Sequence, residues 1–389
     1  MDLIQSTGNH SQGVQQCALV LSKHVLQNLA KDSNCVFCPL SIQLLLSLIA
    51  AGSKGSTLQQ LNSFLKSSST ESLLSLASEI RHLLGRSILE SPSLHMATGV
   101  WIDKSFSLRT YFEHVVNNVY QASSAHVDFQ REPCEVTEEI NSWIRKKTSG
   151  FIEDLLPPGS VNEMTRLVFA NALYFKGTWK ENFDNSATRD DEFHLLNGSS
   201  IRTPFMTSTK KQFISCFDGF KVLKLPYNGG SCESQFSMYI FLPDAMDGLP
   251  ILLETVLKDS EEWHHYFPKK QVEVGTFKLP LFKLSFGFEA SEILRELGLV
   301  SPFSDEADLS GIVESSKKES LSVSAIFTKG FIEVDEEGTK AAAASAAVIS
   351  VRSVRLSSKM EFVADHSFLF MVREDVKGLM MFIGQVLQP

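Results

Sequence analysis

The side chains best suited to chemistry are spread thinly along this sequence, and none assembles into a catalytic set. Cys35 and Cys38 form a Cys-x-x-Cys, the spacing of redox pairs and of half a zinc site. No second ligand pair follows at zinc spacing, and Pro39 comes directly after Cys38. Cys17, Cys35, Cys38, Cys134, Cys216 and Cys232 therefore read as reduced structural cysteines. Ser-x-x-Lys occurs at Ser63–Lys66, Ser208–Lys211 and Ser315–Lys318, each time without companion motifs. His264-His265, beside Glu261-Glu262, is not at helical ligand spacing, and neither Gly-x-Ser-x-Gly nor His-Glu-x-x-His occurs. The carboxylate runs at 189–192 and 305–308 read as solvated faces or helix starts rather than acid–base pairs. The expectation is a protein that is not an enzyme, with no metal and no cofactor.

The unusual stretch runs from Glu333 to Ser358, and its composition changes three times. An acidic cluster (Asp335, Glu336, Glu337) meets Gly338. Small residues follow from Thr339 to Ala347, broken only by Lys340, and then a β-branched and basic segment, Val348 to Arg355. Alanine favours a helix, yet the run has no apolar stripe wide enough to anchor one on a core. At a period of two, Thr339, Ala341, Ala343, Ser345, Ala347, Ile349 and Val351 share one uncharged face, and both charges, Lys340 and Arg352, fall on the other. Such a segment can stay a loop or enter a sheet without burying a charge.

Gly-Thr-Lys-Ala-Ala-Ala-Ala-Ser at 338–345 resembles the hinge of the serpin reactive-centre loop, and the wording is nearest to the plant members. NCVFCPLSI at 34–42, LVFANALYFKGTWKENF at 167–183, TPFM at 203–206, LGLVSPFSDEADLSGI at 297–312 and DHSFLF at 365–370 resemble serpin signatures in serpin order. The resemblance implies an α+β fold of three β-sheets with about eight or nine helices around them. It also implies one domain over 1–389, with an exposed reactive-centre loop at about 338–358. It further implies a protease inhibitor consumed as a suicide substrate, in which cleavage triggers insertion of the loop into the main sheet. The family pattern puts the scissile bond fourteen residues beyond the hinge glycine, at Arg352–Ser353, with Arg355–Leu356 as the rival. An Arg there suits a protease pocket that ends in a carboxylate, in trypsin-like serine proteases or in Arg-preferring papain-type or metacaspase-type cysteine proteases.

The inward hinge residues Thr339, Ala341, Ala343 and Ser345 are small and uncharged, while Lys340, Ala342 and Ala344 face outward. Many relatives carry an acidic residue where Lys340 stands. Ser41 and Asn171 match the polar cluster that controls sheet opening. Cys38 stands in place of the usual Ser and Thr328 in place of the common His, so a weakened network is expected. Trp179 and Glu336 match the top of the sheet, where insertion begins, and Ser367 replaces a usual Pro. The departures at Cys38 and Thr328 support an alternative, a non-inhibitory serpin whose loop is simply cut.

The elements that must carry this loop are legible in outline. Val14, Ala18, Leu21, Val25 and Leu29 recur at helical spacing, and Ser41 to Ala51 reads as a buried helix ended by Gly52. Ser53 to Thr57 reads as a turn, and the Ser-rich 67–93 as surface. Leu167–Phe175, Phe236–Leu242, Val272–Phe286 and a closing hairpin over 368–387 read as strands. A net charge of −9 argues against nucleic acid, and no apolar run is long enough to span a membrane. The first sixteen residues lack the basic and apolar regions of a secretory leader, so a cytoplasmic or nucleocytoplasmic monomer is expected.

Overall fold

The computed structural model describes residues 2–84, 92–229, 234–258, 263–314, 321–339 and 359–389. In chain order the strands are β1 (Cys35–Phe37), β2 (Ser93–Asp103), β3 (Ser123–Val127), β4 (Leu167–Thr178), β5 (Arg189–His194), β6 (Ser200–Met206), β7 (Gln212–Phe217), β8 (Phe220–Pro226), β9 (Phe236–Pro243), β10 (Gln271–Val272), β11 (Val274–Pro280), β12 (Phe282–Glu289), β13 (Ala325–Val334), β14 (Gly338–Thr339), β15 (Met360–Val363), β16 (Phe368–Glu374) and β17 (Met380–Val386). The helices are α1 (Asp2–His24), α2 (Pro39–Ala51), α3 (Gly55–Phe64), α4 (Thr70–Leu84), α5 (Thr110–His114), α6 (Pro133–Lys147), α7 (Leu249–Val256), α8 (Trp263–Tyr266) and α9 (Ser291–Glu296).

Three sheets result. The six-stranded sheet runs β12-β13-β14-β4-β2-β3, the seven-stranded one β1-β17-β16-β9-β8-β7-β10, and the four-stranded one β15-β11-β6-β5. In the six-stranded sheet β4 and β13 are buried on both faces over most of their length, which is why most of their residues are apolar. Alternation then sorts their side chains. Phe169, Leu173, Ile326 and Ile332 join the large core shared with α1, α2 and the seven-stranded sheet. Val168, Ala170, Tyr174, Phe327 and Phe331 point the other way, into a smaller core under α6. That helix lays Val136, Ile140 and Ile144 on the sheet at i, i+4 and i+8.

Some expectations need correcting. Only Ser53 and Lys54 form the turn after α2, and Gly55 already opens α3. Within 67–93, Leu73, Ala77 and Ile80 lie one above another on α4 and are buried, so that part is a packed helix rather than surface. The 189–192 run lies on edge strand β5 with Arg189, Asp190 and Glu192 exposed, so it is a solvated face and not a helix start. The stretch from Val272 is three strands, β10, β11 and β12. The Cys-x-x-Cys does lie at a strand-to-helix junction, but both thiols are buried, and burial pushes Cys38 up to about 12 and Cys35 well above its usual value. Neither is reactive as a thiolate at neutral pH.

Candidate functional site

The feature that stands out in the six-stranded sheet is a seam. β4 and β13 pair in parallel over Val168–Tyr174 and Ala325–Phe331, although each is antiparallel to its outer neighbour. Above the seam the two strands part, and β14 sits between them. Gly338 and Thr339 pair antiparallel with Thr178 and Gly177 of β4, and Thr339 also pairs with Val334 of β13. A chain that continued β14 downward would be antiparallel to both neighbours, replacing one parallel ladder by two antiparallel ones.

The top of the seam is built to hold this first turn of chain. Asp335 accepts the N–H groups of Glu337 and Gly338 at 2.9 and 3.0 Å, and its own N–H reaches the Gly338 carbonyl at 2.9 Å, which closes the turn between β13 and β14. Burial, and then the charges of Glu336 and Glu337, raise the Asp335 carboxyl above its ordinary value. Trp179 donates its indole N–H to the Asp335 carbonyl at 2.9 Å and its backbone N–H to the Glu337 carbonyl at 2.8 Å. Glu336 accepts the Thr188 hydroxyl at 2.6 Å. Thr339 is fully buried and shares a 2.8 Å hydrogen bond with Tyr227, whose ring stacks on Trp179 at 4.6 Å. Gly338 has φ +151°, and a Cβ there would stand 2.0 Å from the Gly177 carbonyl oxygen, so only glycine fits against β4.

A second polar cluster lies at mid-seam, beneath the sheet. Asn171 on β4 accepts the Thr328 hydroxyl of β13 at 2.8 Å, tying the two strands across the seam. Its amide donates to the Ser41 carbonyl at 2.9 Å, and the Ser41 hydroxyl donates to the Cys38 carbonyl at 2.8 Å while also facing Asn171 Oδ1 at 3.4 Å. Cys38 Sγ takes the Ser41 N–H at 3.3 Å as the N-cap of α2. Cys38 and Thr328 were expected to weaken this network, and the structure shows it closed. Thiol and hydroxyl each fill the polar role their position needs.

Glu336, Gly338, Thr339 and Trp179 thus come together at the top of the seam, and Ser41, Asn171, Cys38 and Thr328 at its middle. Lys340, Ala341, Ala342, Ala343, Ala344, Ser345, Arg352 and Ser353 lie outside the described residues. Sequence reading missed Tyr227, Asp335 as the turn-closing acceptor, and Thr188. Tyr227 sits at the end of β8, 112 residues from Thr339, and no local pattern marks it.

The family model for serpins, serine protease inhibitors, matches residues 12–389. The chain belongs to the serpin family. Serpin-ZX of Arabidopsis thaliana is 50% identical over 378 residues, covering 96% of this serpin and 97% of that protein. Serpin-ZXA of Oryza sativa subsp. japonica is 50% identical over 359 residues, covering 92% and 90%. The structure of Arabidopsis AtSerpin1 in its native stressed conformation matches with a TM-score of 0.89 at 49% identity, over 98% of each chain.

The departure at Ser367 now has a physical account. The residue is fully buried just before β16, and its hydroxyl has no hydrogen-bond partner among the described residues. A buried unpaired hydroxyl costs roughly 1–3 kcal/mol. Ser367→Ala is therefore expected to stabilise this serpin by about 1 kcal/mol. The check is a rise in denaturation midpoint at an unchanged denaturant slope, whereas a fall would mean the hydroxyl is satisfied.

Proposed function

We propose that this serpin inhibits an Arg-preferring protease as a suicide substrate, with Arg352–Ser353 as the bait bond. The observation that carries the reading is the parallel seam with two hinge residues already between its strands. Continuing the register of β14 down β4 brings Ser345 opposite Asn171, and continuing it down β13 brings Ser345 opposite Thr328. The two extrapolations agree, because Asn171 and Thr328 are themselves partners. In that register Ala341 and Ala343 fill the inner face with small side chains, and the Ser345 hydroxyl meets the polar cluster. Lys340 comes to the outer face opposite Glu333 and Lys176, a carboxylate partner on one side.

The protease's Ser or Cys nucleophile attacks the Arg352 carbonyl carbon, the Ser353 amine leaves, and an acyl-enzyme forms. The freed strand then zips into the seam and carries the acylated protease with it. About 14 inserted residues at ~0.5–1.5 kcal/mol per hydrogen bond yield on the order of 7–20 kcal/mol. A protease is held together by ~5–15 kcal/mol, so the pull is enough to distort its active site before water completes hydrolysis. The alternative is a non-inhibitory serpin, suggested by the departures at Cys38 and Thr328; both of those residues are hydrogen-bonded within the mid-seam cluster.

The natural target on this reading is a trypsin-like protease or a papain-type or metacaspase-type cysteine protease. We place the encounter in the cytoplasm or nucleocytoplasm, between protease and a monomeric serpin. Mixing with trypsin and running a denaturing gel tests it. A band at the summed mass that survives boiling, with its fragment ending at Arg352 and absent for Arg352→Ala, is the expected result. Cleavage without such a band would overturn the mechanism, and a fragment ending at Arg355 would move the bait bond.

A further inference from the structure

The seam is also fastened from the outside. After α6 the chain turns sharply at Ser149 and Gly150, both with positive φ (53° and 81°), and crosses the outer face of the six-stranded sheet. This crossing is rigidly anchored. Asn141 of α6 accepts the N–H groups of Leu155 and Leu156 at 2.9 Å each and donates to the Leu156 carbonyl at 3.0 Å. Ile152, Leu155 and Leu156 are buried in the outer core.

Held this way, Phe151 rests over the seam itself. Its ring centroid lies 4.5 Å from Tyr174 of β4 and 5.8 Å from Phe331 of β13. Tyr174 and Phe331 are direct partners across the parallel pair. One ring therefore touches both banks of the seam at the same level. The crossing grips β13 a second time, where Lys329 donates its ammonium to the Asp154 carbonyl. Tyr174 also stacks on His95 of β2, at 4.4 Å and 5°.

We propose that Phe151 is a latch on the closed seam, a positioning residue that sets how readily the sheet opens to admit the loop. The inference rests on the insertion reading. A strand entering between β4 and β13 moves them apart by one strand spacing, about 4.8 Å. Phe151 can then keep Tyr174 or Phe331 but not both. Its contacts favour the closed sheet and are half lost in the expanded one, so it resists opening without contacting the loop or the protease. An aromatic contact of this kind is worth up to about a tenfold change in rate when lost.

The test compares wild type with Phe151→Ala, and with Phe151→Leu, which keeps an apolar plug but no ring stack. A metalloprotease forms no acyl-enzyme, so it nicks the loop without being trapped, and melting of intact and nicked forms can be compared. The latch predicts that both variants lower the Tm of the intact form more than that of the nicked form. It also predicts that the intact variant converts on warming to a more stable, loop-inserted form roughly three- to tenfold faster. Equal Tm shifts in both forms, or an unchanged conversion rate, would overturn the latch and leave insertion standing. No gain in Tm on nicking the wild type would overturn insertion and the latch with it.

Discussion

Thr339→Arg is expected to abolish trapping, so that trypsin emerges free and the loop is fully cut. Thr339 has no exposed surface, and its hydroxyl meets Tyr227 at 2.8 Å between two strands. A guanidinium in that slot would replace the Thr339–Tyr227 hydrogen bond and would have to leave water between Gly177 and Val334, the strand partners of Thr339. Burying an unpaired charge costs several kcal/mol, more than the ~0.5–1.5 kcal/mol that any one inserted residue contributes. The variant's cheaper course is to keep residues 338 and 339 out of the sheet. That forfeits the Thr339–Tyr227 hydrogen bond and the backbone pairing of residues 338 and 339, several bonds at ~0.5–1.5 kcal/mol each, so the intact protein should still fold, with a Tm lowered by several degrees. On the proposed mechanism insertion starts at this point, and the variant loses that first step. The partition between covalent complex and cut serpin on a denaturing gel should fall at least tenfold, and the Tm gain on nicking should vanish. Thr339→Ser keeps size and hydroxyl and should trap normally. Trapping by Thr339→Arg at the wild-type level would mean that insertion does not begin at β14.

The parts of the molecule readable in advance were those set by local pattern. The run at 41–51 is apolar all round and had to be a buried helix, and α2 is buried at nearly every position. Gly338 marked a break between an acidic cluster and small residues, and the structure puts it where a Cβ would strike the β4 backbone. What could not be read was set by pairing at long range. Whether β4 lies parallel or antiparallel to β13 is invisible in two equally apolar strands, and the seam is that choice. Thr328 was read as a loss because its type departs from a His. Its 2.8 Å bond to Asn171 shows that a short hydroxyl reaches when the two strands are neighbours. The helix at 70–84 was hidden by its serines, Ser72, Ser75 and Ser78, which alternate in the sequence with the buried Leu73, Ala77 and Ile80.

The inner tie predicts the other large effect. Asn171→Ala removes the acceptor of the Thr328 hydroxyl and the donor to the Ser41 carbonyl, all within a site with almost no exposed surface. The alanine leaves the Thr328 hydroxyl orphaned in the core, so the cost is desolvation without compensation, roughly 2–4 kcal/mol. Thr328→Val removes the same cross-seam bond but also the orphan it would leave. Against that background Asn171→Ala has no cross-seam bond left to break and strands no hydroxyl. The double variant should therefore be less destabilised than the two single losses summed, by about 1–2 kcal/mol. Denaturant midpoints of the four proteins in this cycle measure the difference directly. Strictly additive losses would show that Asn171 and Thr328 act independently, and the seam would then be held by its backbone ladder and by the rings above it, with no tie beneath.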